Sequence, residues 1–367
     1  MWSFHSPIIM STTQTNKAAL IPSKGANFSV SETSIPDITP TEVLIRVHAV
    51  AINPVDAIIQ RTGMIIDNYP AVIGCDCAGE IVRTDSDVTR FQPGDRVLAA
   101  CAPSVFDPQG PKRDNWGTFQ TYVAAKATVT VRIPDQLEYR EACVLPLGSS
   151  TAAIGLFSTT KLGLELPQLE PVSMGKTVLI WGGSSSVGSC AIQLAKAAGY
   201  EVATTCSNQN TEFCKGAGAD YVFDHRSEEV VEEILVGLKG KEIVGVFGCV
   251  MPADALTKCG KLASKLGGPK KFVTVFAGED QAKQIAGDAF AAIPRDVAVS
   301  HCDEWLNTNE HVRSAFIDNW LGSALEKGLM KCLPRPEVLG RGLEHCQEAC
   351  DRMLKGVSAT KLVVEVP

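Results

Sequence analysis

The segment Lys176-Thr-Val-Leu-Ile-Trp-Gly-Gly-Ser-Ser-Ser-Val-Gly-Ser-Cys-Ala-Ile-Gln-Leu-Ala-Lys-Ala-Ala-Gly199 carries two structural periods in immediate succession. Val178 to Trp181 is a continuous apolar run of strand length, and a run apolar on both faces suits a parallel strand covered by helices. The small residues Gly182 to Ser186 allow a sharp turn, after which Val187, Ala191, Leu194, Ala195 and Ala198 fall on one face of a helix that Gly199 closes as a left-handed cap. Strand, tight turn and helix N-terminus gather unpaired N–H groups and the positive end of a helix dipole, which is an anion site suited to a pyrophosphate. Gly183, Ser185 and Gly188 take the three positions of a G-x-G-x-x-G fingerprint, with Ser184, Ser186 and Val187 between them. Serine in the middle position fits if its hydroxyl donates to a phosphate oxygen.

The fingerprint has meaning only inside a βαβ unit, and the flanking sequence supplies one. Glu201 to Thr205, Tyr221 to Phe223, Ile243 to Phe247 and Phe272 to Phe276 read as successive strands with helical patterns between them, a doubly wound α/β domain. Upstream the texture differs. Lys17 to Ile21, Val43 to Ile52, Val72 to Val82, Phe91 to Leu98 and Gly117 to Val123 are short β-forming runs broken by Pro and Gly, as expected of a mostly β domain. Glu337 to Leu354 is amphipathic, and Lys361 to Val366 is a strand with nothing after it to pair with, so it is expected to rejoin the N-terminal domain. The expected division is a tail over 1–16, a β domain over 17–150 and 330–367, and a nucleotide domain over 151–329.

The chain has 367 residues, enough for two domains, and 45% hydrophobic residues. A net charge of −7 without basic clusters argues against a nucleic-acid surface, and no apolar run approaches the roughly 20 residues that span a bilayer. Thirteen scattered cysteines in an α/β pattern, with no signal peptide, read as reduced, packed thiols of a cytoplasmic protein. Met1 to Asn16 reads as a disordered tail within which Met10 is an alternative start.

Val50-Ala-Ile-Asn-Pro-Val-Asp56, Gly74-Cys-Asp-Cys-Ala-Gly79, Gly94-Asp-Arg-Val97, Gly117-Thr-Phe119, the turn at Gly182 to Gly188 and Lys361-Leu-Val-Val364 together resemble the medium-chain dehydrogenase/reductase superfamily over nearly the whole chain. The Asn-Pro-x-Asp signature is similar to that of its zinc-independent, quinone-oxidoreductase-like branch, and Gly182-Gly183-Ser184, Thr205-Cys206-Ser207 and Lys361 to Val364 are similar to segments of the fungal trans-acting enoyl reductases. The resemblance implies a GroES-like, mostly β catalytic domain beside a Rossmann domain. It also implies NADPH as cofactor and reduction of an α,β-unsaturated thioester for a polyketide synthase partner. Two alternatives stay open: a stand-alone reductase of quinones or enones, and a cofactor-binding sensor or complex subunit without turnover.

Where zinc alcohol dehydrogenases of the superfamily carry their first cysteine ligand this chain has Asn53, and where they carry Gly-His-Glu it has Gly74-Cys75-Asp76, so no metal is expected. NAD-selective folds place an acidic residue at the end of the second strand, but nothing acidic lies between Glu201 and Glu212. Ser207, Asn208 and Asn210 can donate to a 2′-phosphate, and the resemblance adds His225. Val275 and Phe276, closing the fifth strand, are assigned to the same cofactor. By resemblance Thr151 stands near nicotinamide and substrate, with Asn53 and Asp56 lining the same cleft; Asp56 can alternatively cap a helix. Related enzymes carry a lysine where this chain has Ile58 and a tyrosine after the glycine matching Gly63, where Met64 and Ile65 follow. An apolar pocket and protonation from water are therefore expected.

Overall fold

The computed structural model describes residues 15–102 and 115–367. Apart from its last two residues the expected N-terminal tail, with both candidate starts, lies outside them. Asn16 is not tail: it opens strand β1, Asn16–Ile21. Its fully buried carboxamide donates to Gln120 Oε1 at 2.8 Å and accepts from the Tyr122 N–H at 2.9 Å.

Around β1 lie β2, Ser29–Thr33, and β4, Ala71–Val72, in a small antiparallel sheet. The main sheet of the N-terminal domain centres on β3, Glu42–Ala51, whose long apolar run is covered on both faces. It pairs antiparallel with β5, Asp76–Thr84, which leads to β6, Arg96–Ala100, and on to β8, Thr130–Arg132. The first half of β3 also pairs with β7, Tyr122–Lys126. Helix α1, Pro54–Thr62, follows β3; α2, Tyr139–Ala142, and α3, Pro146–Phe157, lead into the second domain.

The nucleotide domain is a parallel sheet of β9, Thr177–Trp181, β10, Glu201–Cys206, β11, Tyr221–Asp224, β12, Ile243–Gly248, β13, Lys271–Thr274, and β14, Ala298–His301. Their order is β11-β10-β9-β12-β13-β14, the doubly wound arrangement expected, with β14 as a further strand that the sequence pattern is too short to reveal. Helix α4, Ser186–Ala197, follows β9, and Gly199 sits just past it at φ 84°.

The C-terminal segment differs from its reading as a single amphipathic stretch. It splits into β15, Arg335–Arg341, and a helix over Cys346–Lys355, with Gly342 at φ 124° making the break. β16, Thr360–Glu365, does rejoin the N-terminal domain by pairing antiparallel with β3, but it also has a local partner, running parallel to β15. The expected boundary at 150/151 falls inside α3, which runs unbroken across it. A continuous apolar core extends from Ala51, Ala78 and Leu98 of the catalytic domain through Ala152 and Leu156 of α3 to Ile180 and Ile192 of the nucleotide domain. This core fixes α3, and with it Thr151, between the two halves. Among the described residues no helix is long and apolar enough to cross a membrane.

Candidate active site

The turn after β9 is built by close backbone approach. A Cβ on Gly188 would lie 2.2 Å from the Gly182 carbonyl oxygen, and one on Gly183 would lie 2.2 Å from Thr204 Oγ1, so both positions demand glycine. Ser185 is the N-cap of α4, its Oγ accepting from the Gly188 N–H at 3.0 Å and facing the Cys249 carbonyl at 3.4 Å. The middle serine of the fingerprint therefore caps the helix with its oxygen, while its hydroxyl proton, at a long 3.4 Å from the Cys249 carbonyl, stays able to turn toward a phosphate oxygen. Ser184 and Ser186 remain half-buried beside it.

A 330 Å³ pocket opens at this turn, with Ser184, Ser207, Asn210 and His225 on its walls. Asn210 Nδ2 lies 2.9 Å from Ser358 Oγ, 3.1 Å from Ser207 Oγ and 3.3 Å from Ser184 Oγ, gathering three hydroxyls whose hydrogens can turn toward an anion. Two members were not found from sequence. Arg226 brings a guanidinium, and Ser358 arrives from the loop before β16, about 150 residues away in the chain. The dipeptide His225-Arg226 holds a usable signal, since a cation beside the end of a nucleotide-domain strand suits a phosphate. Asn208 is exposed and does not line the pocket, and Phe276 is fully buried in the core, packing where a cofactor contact was expected.

A second cleft, of 150 Å³, lies at the domain junction between Val55, Ile59 and Ile65 on one side and the segment Cys302–Leu306 on the other. Thr151 and Ser150 of α3 form its floor with Cys75, and Val275 joins the lining from the nucleotide domain. Gly148 lets α3 approach the start of α4, because a Cβ there would lie 2.6 Å from Ser186 Oγ. Among the described residues nothing pairs with the Thr151 hydroxyl. Ile65 stands in the left-handed region at φ 61°, a conformation that strains a β-branched side chain by about 1–3 kcal/mol. That strain sits on the wall of the cleft.

Asn53 and Asp56 do not line the cleft; they lie beneath it, 3% and 0% exposed. Asn53 Nδ2 donates to Asp76 Oδ2 at 2.9 Å, and Lys361 Nζ donates to Asn53 Oδ1 at 2.5 Å while standing 3.0 Å from Asp76 Oδ2. The other Asp76 oxygen accepts the Leu147 N–H at 2.7 Å, satisfying an orphan donor in the first turn of α3. Lys361 also reaches Ser186 Oγ at 3.4 Å. One buried cluster thus ties together β5, β16 and the N-termini of three helices. Lys361 was read as part of a strand and of the Lys361 to Val364 motif, with no role for its ammonium; a lysine inside the apolar run that closes the chain was the available signal.

Asp56 takes the capping role, its Oδ2 accepting the Asn53 N–H at 2.8 Å at the start of α1. Its Oδ1 is buried without a partner. Burial pushes its pKa up to about 7, with the nearby Asp76 adding to the rise, while the Asn53 N–H, the Cys75 thiol and Lys361 oppose it. Folded-state affinity of this carboxyl for the proton then exceeds that of the unfolded chain, so the contribution of Asp56 to stability is greatest below the ordinary carboxylate range and declines as pH rises toward 7. Asp56→Asn keeps an acceptor for the cap and removes the titration. Its unfolding midpoint is expected to exceed that of the unaltered chain at pH 8 and to lose this advantage at pH 4; an equal difference at both pH values would place the effect elsewhere.

Residues 39–135 match the alcohol dehydrogenase GroES-like domain family, and residues 186–284 match the zinc-binding dehydrogenase family. A dehydrogenase of Aspergillus niger named azaJ is 37% identical over 363 residues, covering 96% of this chain and 99% of its own length. The trans-enoyl reductase himH of Aspergillus japonicus is 36% identical over 325 residues, covering 89% of this chain and 90% of its own. Among solved structures, that of CurK enoyl reductase shares the fold with a TM-score of 0.72 at 22% identity, over 96% of this chain and 100% of that one. Two-domain architecture, the glycine-dependent turn and these full-length relatives agree: the chain belongs to the medium-chain dehydrogenase/reductase superfamily, among oxidoreductases that include fungal trans-enoyl reductases.

Proposed function

We propose that the protein is an NADPH-dependent, zinc-independent reductase of activated carbon–carbon double bonds, acting in trans on an α,β-unsaturated thioester carried by a polyketide synthase. The observation that carries this reading is a free hydroxyl, that of Thr151, on the floor of a largely apolar cleft beside the nucleotide turn. The names of full-length relatives such as himH, and of tndF from Aspergillus flavipes at 33% identity, support the substrate class.

The donor set beneath the cleft does not suit zinc. Asn53 offers a carboxamide already bonded to Asp76 and Lys361, and Lys361 places an ammonium 3.0 Å from the carboxylate a metal would need. The Cys75 thiol is driven far up by burial and by the neighbouring Asp56 and Asp76 carboxylates, which disfavours the thiolate that binds metal. Dialysis against a strong chelator is expected to leave turnover unchanged and elemental analysis to find substoichiometric zinc; activity lost to chelator and restored by zinc would refute this.

Ser207, Asn210, Ser358, His225 and Arg226 would hold the adenosine end of the cofactor, and no carboxylate ends β10 to repel a 2′-phosphate. NADPH, when bound, supplies the hydride. Thr151 would donate to the substrate carbonyl oxygen, where negative charge develops as the double bond is reduced. Val55, Ile59, Ile65 and Leu306 give the reacting end apolar walls. Glu304, at the edge of the cleft, is kept ionised: burial works to raise its pKa, but hydrogen bonds from Thr160 and Asn309 and the charge of Lys161 outweigh it. It is therefore no proton source, and the closing proton comes from water.

Incubation with NADPH and a panel of enoyl thioesters, enones and quinones tests the reading. Turnover confined to quinones would defeat the enoyl assignment, and tight NADPH binding with no substrate oxidising it would indicate a sensor. Asn210→Asp replaces a donor by a negative charge among three serine hydroxyls. It is expected to weaken NADPH by about 10–100-fold, the scale of a hydrogen bond to a charged group, and NADH far less. Equal weakening of both cofactors would remove Asn210 from the 2′-phosphate site.

A further inference from the structure

The segment that forms the far wall of the cleft, Cys302–Leu306, follows β14 and is not part of a sheet or α-helix until residue 310. What holds it is a set of side chains just past the C-terminal end of α3. Glu304 accepts hydrogen bonds from Ser158 Oγ at 3.1 Å, Thr160 Oγ1 at 2.5 Å and Asn309 Nδ2 at 2.7 Å. Lys161, only 7% exposed, places its ammonium 2.5 Å from Asp303 Oδ1 and 3.3 Å from Glu304 Oε1. At the other end Cys302 Sγ meets the Thr151 carbonyl at 3.9 Å, and Asn307 takes the Thr128 hydroxyl at 2.9 Å. The helix that carries Thr151 is therefore also the support that fixes the opposite wall.

We propose that Lys161 and Glu304 are positioning residues that set how long an acyl chain the cleft accepts, by fixing the wall Cys302–Leu306 at a defined distance from Ile59 and Ile65. The proposal rests on the reading of this cleft as the substrate site. A volume of 150 Å³ falls below the roughly 300–1,000 Å³ of ordinary small-molecule pockets, so the position of a single wall decides what fits. The anchor is charged as well as hydrogen-bonded. Burial works to lower the Lys161 pKa, but its hydrogen bond and attraction to Asp303, together with Glu304, hold it above its ordinary value. Removing one member leaves another charge poorly paired and lets the wall move.

The test uses the full chain with NADPH and a homologous series of straight-chain enoyl thioesters from crotonyl upward, comparing Lys161→Met, Glu304→Gln and the conservative Lys161→Arg. For Lys161→Met and Glu304→Gln the ratio of kcat/KM between the shortest and longest members is expected to change by about tenfold or more, the scale of added methylenes in a fitted pocket. NADPH affinity stays unchanged, and Lys161→Arg restores the original ratio. Loss of kcat/KM by one common factor along the series, or no change, overturns the proposal. Thr160→Val, at an exposed position, deletes a single anchor bond and should shift the ratio the same way by about fivefold even where the charge variants fail to fold. If the unaltered chain reduces no enoyl thioester, that result counts against the substrate reading alone. Hydrogen exchange then reads the anchor: amides over 302–309 exchange faster in Glu304→Gln and Thr160→Val while those of α3 do not, and unaltered exchange overturns the anchor itself.

Discussion

Thr151→Val is expected to lower kcat on an enoyl thioester by about 10²-fold, the loss measured when a single donor to a developing oxyanion is removed. Valine keeps the branched shape, so α3 and the packing around Ala152 and Leu156 persist while the donor disappears. The hydroxyl is available for the purpose because no described residue binds it, and its place on the cleft floor puts it beside Val275 of the nucleotide domain. A donor that matters chiefly as charge builds on the carbonyl oxygen depresses kcat and kcat/KM together, whereas a residue that merely grips the substrate raises KM. Steady-state kinetics across an enoyl series, with NADPH affinity measured by its fluorescence, separates these cases. Full turnover by the valine variant would reduce Thr151 to a packing residue.

The nucleotide half was legible because its signals are local. Within Lys176–Gly199 one apolar run, one small-residue turn and one helical stripe each act on near neighbours, and the strand–turn–helix follows. The sites depend on neighbours that no local pattern reveals. Ser358 faces Asn210 only because β16 crosses back to β3, and Cys302–Leu306 faces Ile59 only because β14 ends at the domain junction. Asn53 and Asp56 were expected to line the cleft, but both are buried beneath it in a cap and an ion cluster. Ser185 acquires a second role that the fingerprint does not announce: its oxygen caps the free N–H of Gly188 at the start of α4. The amphipathic period over Glu337–Leu354 concealed a strand because Gly340 and Gly342 interrupt the backbone without disturbing the pattern of apolar residues.

Lys361→Met is expected to destabilise the folded chain by about 3–5 kcal/mol, the penalty for breaking a buried ion pair by deleting one partner. Methionine matches the aliphatic stem, so the apolar packing of β16 survives and the electrostatic loss stands alone. Asp76 is fully buried, and without the ammonium at 3.0 Å its carboxylate keeps, among the described residues, the Asn53 amide and the Leu147 N–H. Asn53 loses its partner at 2.5 Å in the same step. The loss should be cooperative with Asp76→Asn, because the double variant contains neither charge. Chemical denaturation of both single variants and the double variant then gives a coupling energy, expected to exceed about 1 kcal/mol for groups in one network. The Lys361–Ser186 contact crosses from the catalytic to the nucleotide domain, so the two domains should also unfold less cooperatively when it is gone. Additive effects of the two substitutions would show that Lys361 and Asp76 contribute separately, and that the ion pair is not what joins the cleft floor to the start of α4.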